Sequence, residues 1–421
     1  MNSFARVARS SCLLGGRFVS GWRGIGVVSP LQQQSHLLQP KQYLFQKRWA
    51  GSTKAVSTKD WEAMMEADLS EKTKKLADGL LKGQRVSLAK SITLVESSRL
   101  TDKVECEHLL TYLGKQNPPT RDKRNPNDDL EVPVCPYTKP TRSFRIGISG
   151  PPGVGKSTFI EGFGLHLTEM GFKVAVLAID PSSSRSGGSI LGDKTRMNDL
   201  SNDKNAYIRP SPSGSSLGGV TRGSSASAAL CEHAGFDVIL VETVGVGQNE
   251  TAVEGVVDLF LLLGLPGAGD ELQGIKRGII ELADIIAINK ADGPGLKLAK
   301  LAQRQHKSAL HLLRPKIPDW EVPVLTCSSH TKEGLPEIWG AISRFWKQNA
   351  HSGHLIQKRK SQRVEWMWKM TMEDIQLFIR QMPEISSLVE KLEREVASSQ
   401  RNPGQASHIL LKAVFAEAGH K

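Results

Sequence analysis

Residues 150 to 157 read Gly-Pro-Pro-Gly-Val-Gly-Lys-Ser. The octet fits G-x-x-x-x-G-K-S/T, a pattern that requires a strand before it and a helix after it. Both flanks are present. Phe144 to Ser149 is a short apolar run, and Thr158 to Leu167 has the composition of a helix. In that context Gly150, Pro151, Pro152, Gly153, Val154 and Gly155 form a loop whose N–H groups curl around phosphate oxygens. Lys156 reaches the β- and γ-phosphates, the Ser157 hydroxyl sits on Mg²⁺, and Thr158 completes the contact set.

Such a loop belongs to an α/β fold with a mostly parallel sheet covered by helices on both faces. Apolar, β-branched runs recur at Val174 to Ile179, Val238 to Val241, Leu259 to Leu263, Ile285 to Ile288 and Val324 to Cys327, with helical stretches between them. Continuous apolar strands alternating with helices indicate burial on both sheet faces. This nucleotide domain is expected over residues 143–347. Helical patterns flank it on both sides. One, with its Pro/Asn/Asp-rich linker (116–142), fills residues 60–142; the other fills 348–421 and either packs on the domain or joins a second subunit.

The net charge of +12 invites a nucleic-acid reading, but its distribution argues otherwise. Residues 1–59 hold nine basic residues and no Asp or Glu. Without those nine, 46 basic residues face 43 acidic ones. An arginine-rich, acid-free leader has the composition of a mitochondrial transit peptide, so the matrix is the expected compartment. The five cysteines are scattered with no C-x-x-C pair, which suits a reducing compartment and argues against a zinc site. No apolar run approaches the ~20 residues of a membrane span. Neither nucleic acid nor membrane is an expected partner.

Base selection is written in Asn289-Lys290-Ala291-Asp292, which follows the run Ile285 to Ile288. The Asp292 carboxylate can accept from guanine N1–H and the 2-amino group, whereas adenine presents a mismatched edge. Asn289 and Lys290 brace that loop and cover the base. Ser328 and Ser329, after the last strand, offer backbone N–H groups to guanine O6. The expected ligands are therefore GTP and GDP.

Metal and hydrolytic chemistry need carboxylates near the phosphates. Glu242, Asp180 and Asp193 are the candidates, the first two at strand ends and the third in the loop Gly192 to Arg196. Val246 follows Gly245, where small signalling GTPases place a glutamine that orients the attacking water. Unaided hydrolysis should be slow, with a partner completing the site. The loop Pro266 to Lys276 follows a strand end and faces the ligand crevice. Within it Lys276 could stabilise charge on the transferring phosphoryl group.

Gly150 to Thr158, Ile179 to Ser183, Gly192 to Met197, Val241 to Gln248 and Pro266 to Asp270 together resemble the GTPase chaperones of methylmalonyl-CoA mutase, in the SIMIBI class of P-loop GTPases. Ser91 to Ser97 resembles their N-terminal helical segment. The resemblance runs from about residue 75 to the C-terminus and is most specific between 145 and 335. It implies a protein that binds the mutase, protects it from inactivation, and couples GTP hydrolysis to loading of adenosylcobalamin and removal of damaged cofactor. It implies a homodimer built on the C-terminal helices, and acceleration of hydrolysis by the mutase. Asp180, Asp193 and Glu242 would serve the Mg²⁺ site. Asp270, Gln273 and Lys276 would lie in the loop that responds to the mutase, with Gln273 and Lys276 assisting catalysis. No D-x-H-x-x-G cobalamin signature occurs in this chain.

Three other readings compete. A nickel-insertion GTPase would need a Cys/His relay, which the scattered cysteines do not supply. A kinase or transport ATPase is opposed by Asn289 to Asp292. A P-loop module that binds without turnover differs only in kinetics.

Overall fold

The computed structural model describes residues 69–97, 99–116, 143–179, 197–211, 219–243, 250–267 and 277–417. The leader expected at 1–59 and linker residues 117–142 lie outside this set. Three helices come first, α1 (Glu71–Leu81), α2 (Arg85–Glu96) and α3 (Leu100–Lys115). The alternating part follows: β1 (Phe144–Ser149), α4 (Lys156–Glu169), β2 (Val174–Ile179), α5 (Asn198–Asn202), β3 (Ala206–Ser211), α6 (Gly219–His233), β4 (Val238–Thr243), α7 (Glu250–Glu254), β5 (Leu259–Gly264), α8 (Arg277–Leu282), β6 (Ile285–Ile288), α9 (Gly295–Leu310), β7 (Val324–Thr326) and α10 (Leu335–His351). Three further helices close the described residues, α11 (His354–Gln381), α12 (Pro383–Ala397) and α13 (Pro403–Glu417).

The strands form one sheet in the order β3-β2-β4-β1-β5-β6-β7, and every pairing is parallel. Alternate residues of each strand serve opposite faces. On one face Ile146, Ile148, Val176, Leu240 and Leu261 join a core closed by α4 and α10, where Phe159, Phe163, Ile338 and Phe345 are fully buried. On the other, Leu177, Ile239, Val241 and Phe260 pack under α6 and the N-terminal helices. Burial on both sides is why these strands read as unbroken apolar runs.

Two sequence expectations shift. The run ending at Cys327 forms a strand only to Thr326, although the Cys327 N–H still donates to the Ile288 carbonyl at 2.9 Å. β3 was not anticipated. Its sequence, Ala-Tyr-Ile-Arg-Pro-Ser, contains Pro210, which lacks a ladder N–H and suits only an edge strand. The sheet order puts β3 at that edge. There Arg209 donates to Glu96 of α2 at 2.6 Å.

The N-terminal ends of the strands carry a buried charge cluster. Asp258, 1% exposed, receives Nε and Nη2 of Arg359, each at 2.6 Å, and the backbone N–H of Arg145 at 2.9 Å. Burial alone would raise the Asp258 pKa, but the Arg359 guanidinium holds it below the ordinary carboxylate value. Glu232 pairs with Arg145 at 2.8 Å. Lys358 and Gln362, on the same side of α11, donate to Glu254 and to main-chain carbonyls at Asp258 and Val257. The first turns of α11 are thereby fastened beneath β1 and β5.

Candidate functional site

Because the sheet is all parallel, the C-terminal ends of β1, β4, β6 and β7 meet along one edge, where open α/β sheets bind ligands. The loop leaving β1 needs glycine at two points. Gly155 has φ 89°, left-handed backbone that caps α4. A Cβ on Gly150 would come within 2.5 Å of the Leu263 carbonyl. The loop ends earlier than the octet, since Lys156 and Ser157 already lie in the first turn of α4. That places both side chains at a helix N-terminus, where the helix dipole favours anions.

The Lys156 ammonium lies inside the loop's own curl, donating to the Gly150 carbonyl at 2.9 Å and to Pro151 at 3.3 Å. The Ser157 hydroxyl donates to Oε1 of Glu242 at 3.2 Å. Glu242 is 3% exposed near the end of β4, next to β1 in the sheet. Beside it, Thr243 donates to the Ser149 hydroxyl at 2.9 Å, tying the two strand ends together. Two hard oxygen donors thus converge at the foot of the loop, the donor chemistry that Mg²⁺ takes.

A second set of bonds joins this loop to Asn289–Asp292. Nδ2 of Asn289 donates to the Val154 carbonyl at 2.8 Å. Its Oδ1 accepts from the N–H of Ser329 at 3.0 Å and from the Ser329 hydroxyl at 2.8 Å. Lys290, at φ 59°, donates to the Gly153 carbonyl at 2.7 Å. Asn289 is buried, so each of its bonds is shielded from water. Asp292 lies three residues beyond, half-exposed, before α9. Ser328 turns inward, its N–H donating to Glu333 and its hydroxyl accepting from Thr331.

The structure therefore brings together Gly150 to Thr158, Glu242, Asn289, Lys290, Asp292 and Ser329. Asp180, Asp193, Asp270, Gln273, Lys276 and Val246 lie outside the described residues. In the segment Thr326 to Ser329, the Cys327 thiol lies 3.7 Å from Asn289 Oδ1. Burial pushes that thiol up to about 12, so it stays protonated beside the amide oxygen. The Val154 carbonyl was missed as a functional group, and a main-chain acceptor leaves no mark in a sequence.

Comparison with known proteins gives a consistent picture. Residues 132–384 match the family model described as methylmalonyl-CoA mutase-associated GTPase MeaB. The chain is similar to the methylmalonic aciduria type A homolog, mitochondrial, of Mus musculus, 47% identical over 349 residues that cover 82% of this chain and 81% of that one. It is similar to GTPase ArgK of Escherichia coli, 46% identical over 310 residues, 74% of this chain and 86% of that one. Among solved structures it resembles the LAO/AO transport system kinase, with TM-score 0.60, 35% identity, and coverage of 83% and 99%.

Proposed function

This chain belongs to the MeaB family of methylmalonyl-CoA mutase-associated GTPases, and from that premise we propose that it hydrolyses GTP in the service of the mutase. The observation that carries this reading is the Asn289 clamp, which fixes the guanine-selecting residues to the phosphate loop through Val154. Gly150 to Thr158 hold the phosphates, with Lys156 leaving its loop carbonyls to meet the β- and γ-oxygens. Asp292 accepts from the guanine edge and Lys290 covers the base, whereas the Ser328 and Ser329 N–H groups expected at O6 are already committed to the Glu333 carbonyl and to Asn289 Oδ1. Ser157 and Glu242 would hold Mg²⁺, and Asp180 and Asp193 would contribute to that site. The ion neutralises charge on the phosphate oxygens when bound. Water attacks the γ-phosphorus as its bond to the β–γ bridging oxygen breaks, GDP leaves with that oxygen, and the water's proton passes to the released phosphate or to solvent. Val246 offers no amide to orient that water, so the reaction is slow until the mutase acts on Asp270, Gln273 and Lys276.

In this reading the protein gates adenosylcobalamin loading, assists removal of damaged cofactor and protects the mutase. It works in the mitochondrial matrix, as its basic, acid-free leader suggests. It works as a homodimer. Support for the dimer comes from α11 and α13, which expose Met367, Trp368, Met372, Leu411 and Phe415, and from an apolar cavity of about 770 Å³ between α11, α12 and α13. Such apolar exposure marks an interaction surface.

The test is GTP turnover by the full chain with and without methylmalonyl-CoA mutase, alongside nucleotide competition. Acceleration by the mutase and displacement of bound nucleotide by GTP but not ATP are expected. Displacement by ATP alone would favour a kinase, the activity for which the structural relative is named.

A further inference from the structure

Exposed large apolar side chains among the described residues fall mainly in two places. One is the C-terminal helices, which the proposed dimer accounts for. The other is α9 and the turn after it, where Leu296, Leu298, Leu301 and Leu312 are 39, 49, 50 and 82% exposed. The inner face of α9 is already committed, since Ala299 and Ala302 pack with Ile286 and Val324 in the sheet. The outer leucines have no such role.

The charge of this face is one-sided. From residue 293 to 318 the chain contains no Asp or Glu. Lys297, Lys300, Arg304 and Lys307 are all on this helix, and none pairs with a carboxylate among the described residues. A solvated helix face ordinarily mixes both signs. Here exposed leucines are interleaved with basic side chains and no carboxylate, a mixed apolar and cationic face that suits an acidic protein partner. Membrane insertion needs a wide apolar face. On α9 the apolar residues alternate with lysines, so no such face exists.

Position supplies the link to function. α9 begins three residues after Asp292. Leu298 Cδ1 lies 3.8 Å from where a Cβ on Gly267 would sit, so the face borders the start of the loop that holds Asp270, Gln273 and Lys276. A body seated on α9 lies beside the base-selecting turn and Gly267.

We infer that the outer face of α9 is the docking surface for the mutase, and that it receives a patch of apolar and acidic side chains. The inference rests on the reading above that the mutase is the partner. It is tested with the full chain carrying Leu298→Ser and Leu301→Ser, and separately Lys300→Glu and Arg304→Glu. Affinity for methylmalonyl-CoA mutase is measured with GDP and with a non-hydrolysable GTP analogue. Each pair should weaken the complex on the order of tenfold, the effect of losing apolar anchors or steering charges. Basal GTP turnover, thermal midpoint and sedimentation should be unchanged, and wild-type affinity should fall with added salt. Unaltered affinity in both pairs while the wild type binds overturns the docking face alone. Failure of the wild type to bind the mutase overturns the proposed function, and this inference with it. A shifted sedimentation coefficient would assign the face to a second copy of the chain. Loss of binding to anionic vesicles would assign it to a lipid surface. Either result overturns the inference.

Discussion

The side-chain amide of Asn289 donates to the main-chain carbonyl of Val154 at 2.8 Å, joining residues 135 positions apart in sequence. In the proposed reading, the bond ties the base-recognising turn to the phosphate-binding loop. Asn289→Ala leaves the Val154 carbonyl and the Ser329 N–H without this partner. The loss of buried hydrogen bonds should cost about 1–3 kcal/mol. Guanine nucleotide affinity should drop by roughly tenfold or more. Titration with a fluorescent GDP analogue checks this, and unchanged affinity would remove the clamp from the mechanism.

Lys156→Ala removes the cation that faces the Gly150 and Pro151 carbonyls from within the loop. A phosphate counter-charge is then missing, and turnover should fall at least about 100-fold. Single-turnover hydrolysis measures this directly. Asp292→Asn should instead preserve turnover chemistry while shifting preference from GTP to xanthosine triphosphate, read as the ratio of the two kcat/KM values.

Ser157 and Glu242 are 3.2 Å apart. If they share a cation, Ser157→Ala and Glu242→Gln should each raise the Mg²⁺ concentration needed for half-maximal turnover. A Mg²⁺ titration identical to that of the wild type in both variants would move the metal elsewhere.

Arg359→Gln leaves Asp258 buried without its cation. Breaking a buried pair on one side costs about 3–5 kcal/mol. The urea midpoint should fall accordingly. Acid should also weaken the wild type. Asp258 is held below its ordinary pKa, so its stabilisation is present above the unfolded carboxylate pKa and is lost as pH falls through the lowered folded value.

His306 is 2% exposed, and neither ring nitrogen has a hydrogen-bond partner among the described residues. Burial lowers its pKa from 6.5, so the folded protein holds it neutral while the unfolded chain takes up a proton. His233 behaves the same way. Stability contributed by neutral burial is complete above the unfolded value of about 6.5 and declines below it. The thermal midpoint should therefore fall as pH drops from about 7 to about 5.5. His306→Leu should flatten part of that slope, and a slope unchanged in this variant would exclude His306 as a source.

The strands at both-face-buried positions were readable because nothing polar interrupts them, as in Leu259 to Leu263. β3 was not, since Arg209 and Pro210 break the pattern and only its place at the sheet edge makes a proline acceptable. Gly150 to Ser157 and Asn289 to Asp292 were readable because their chemistry needs fixed side chains at fixed spacing. The bond between them was not, because one partner is a backbone carbonyl. The pairing of Asp258 with Arg359 spans 101 residues and joins two helix–strand units that no local pattern relates.

β1 runs from the anchorage of α11 at one end to the phosphate loop at the other. Six residues of strand measure about 20 Å. No lysine or arginine side chain crosses that distance, so the first turns of α11 can never touch a phosphate held in their own chain. A group that a partner supplies to the proposed hydrolytic site has to arrive over the opposite rim of the sheet. The strands thus fix a polarity for the whole molecule, with one rim open to chemistry and the other reserved for attachment.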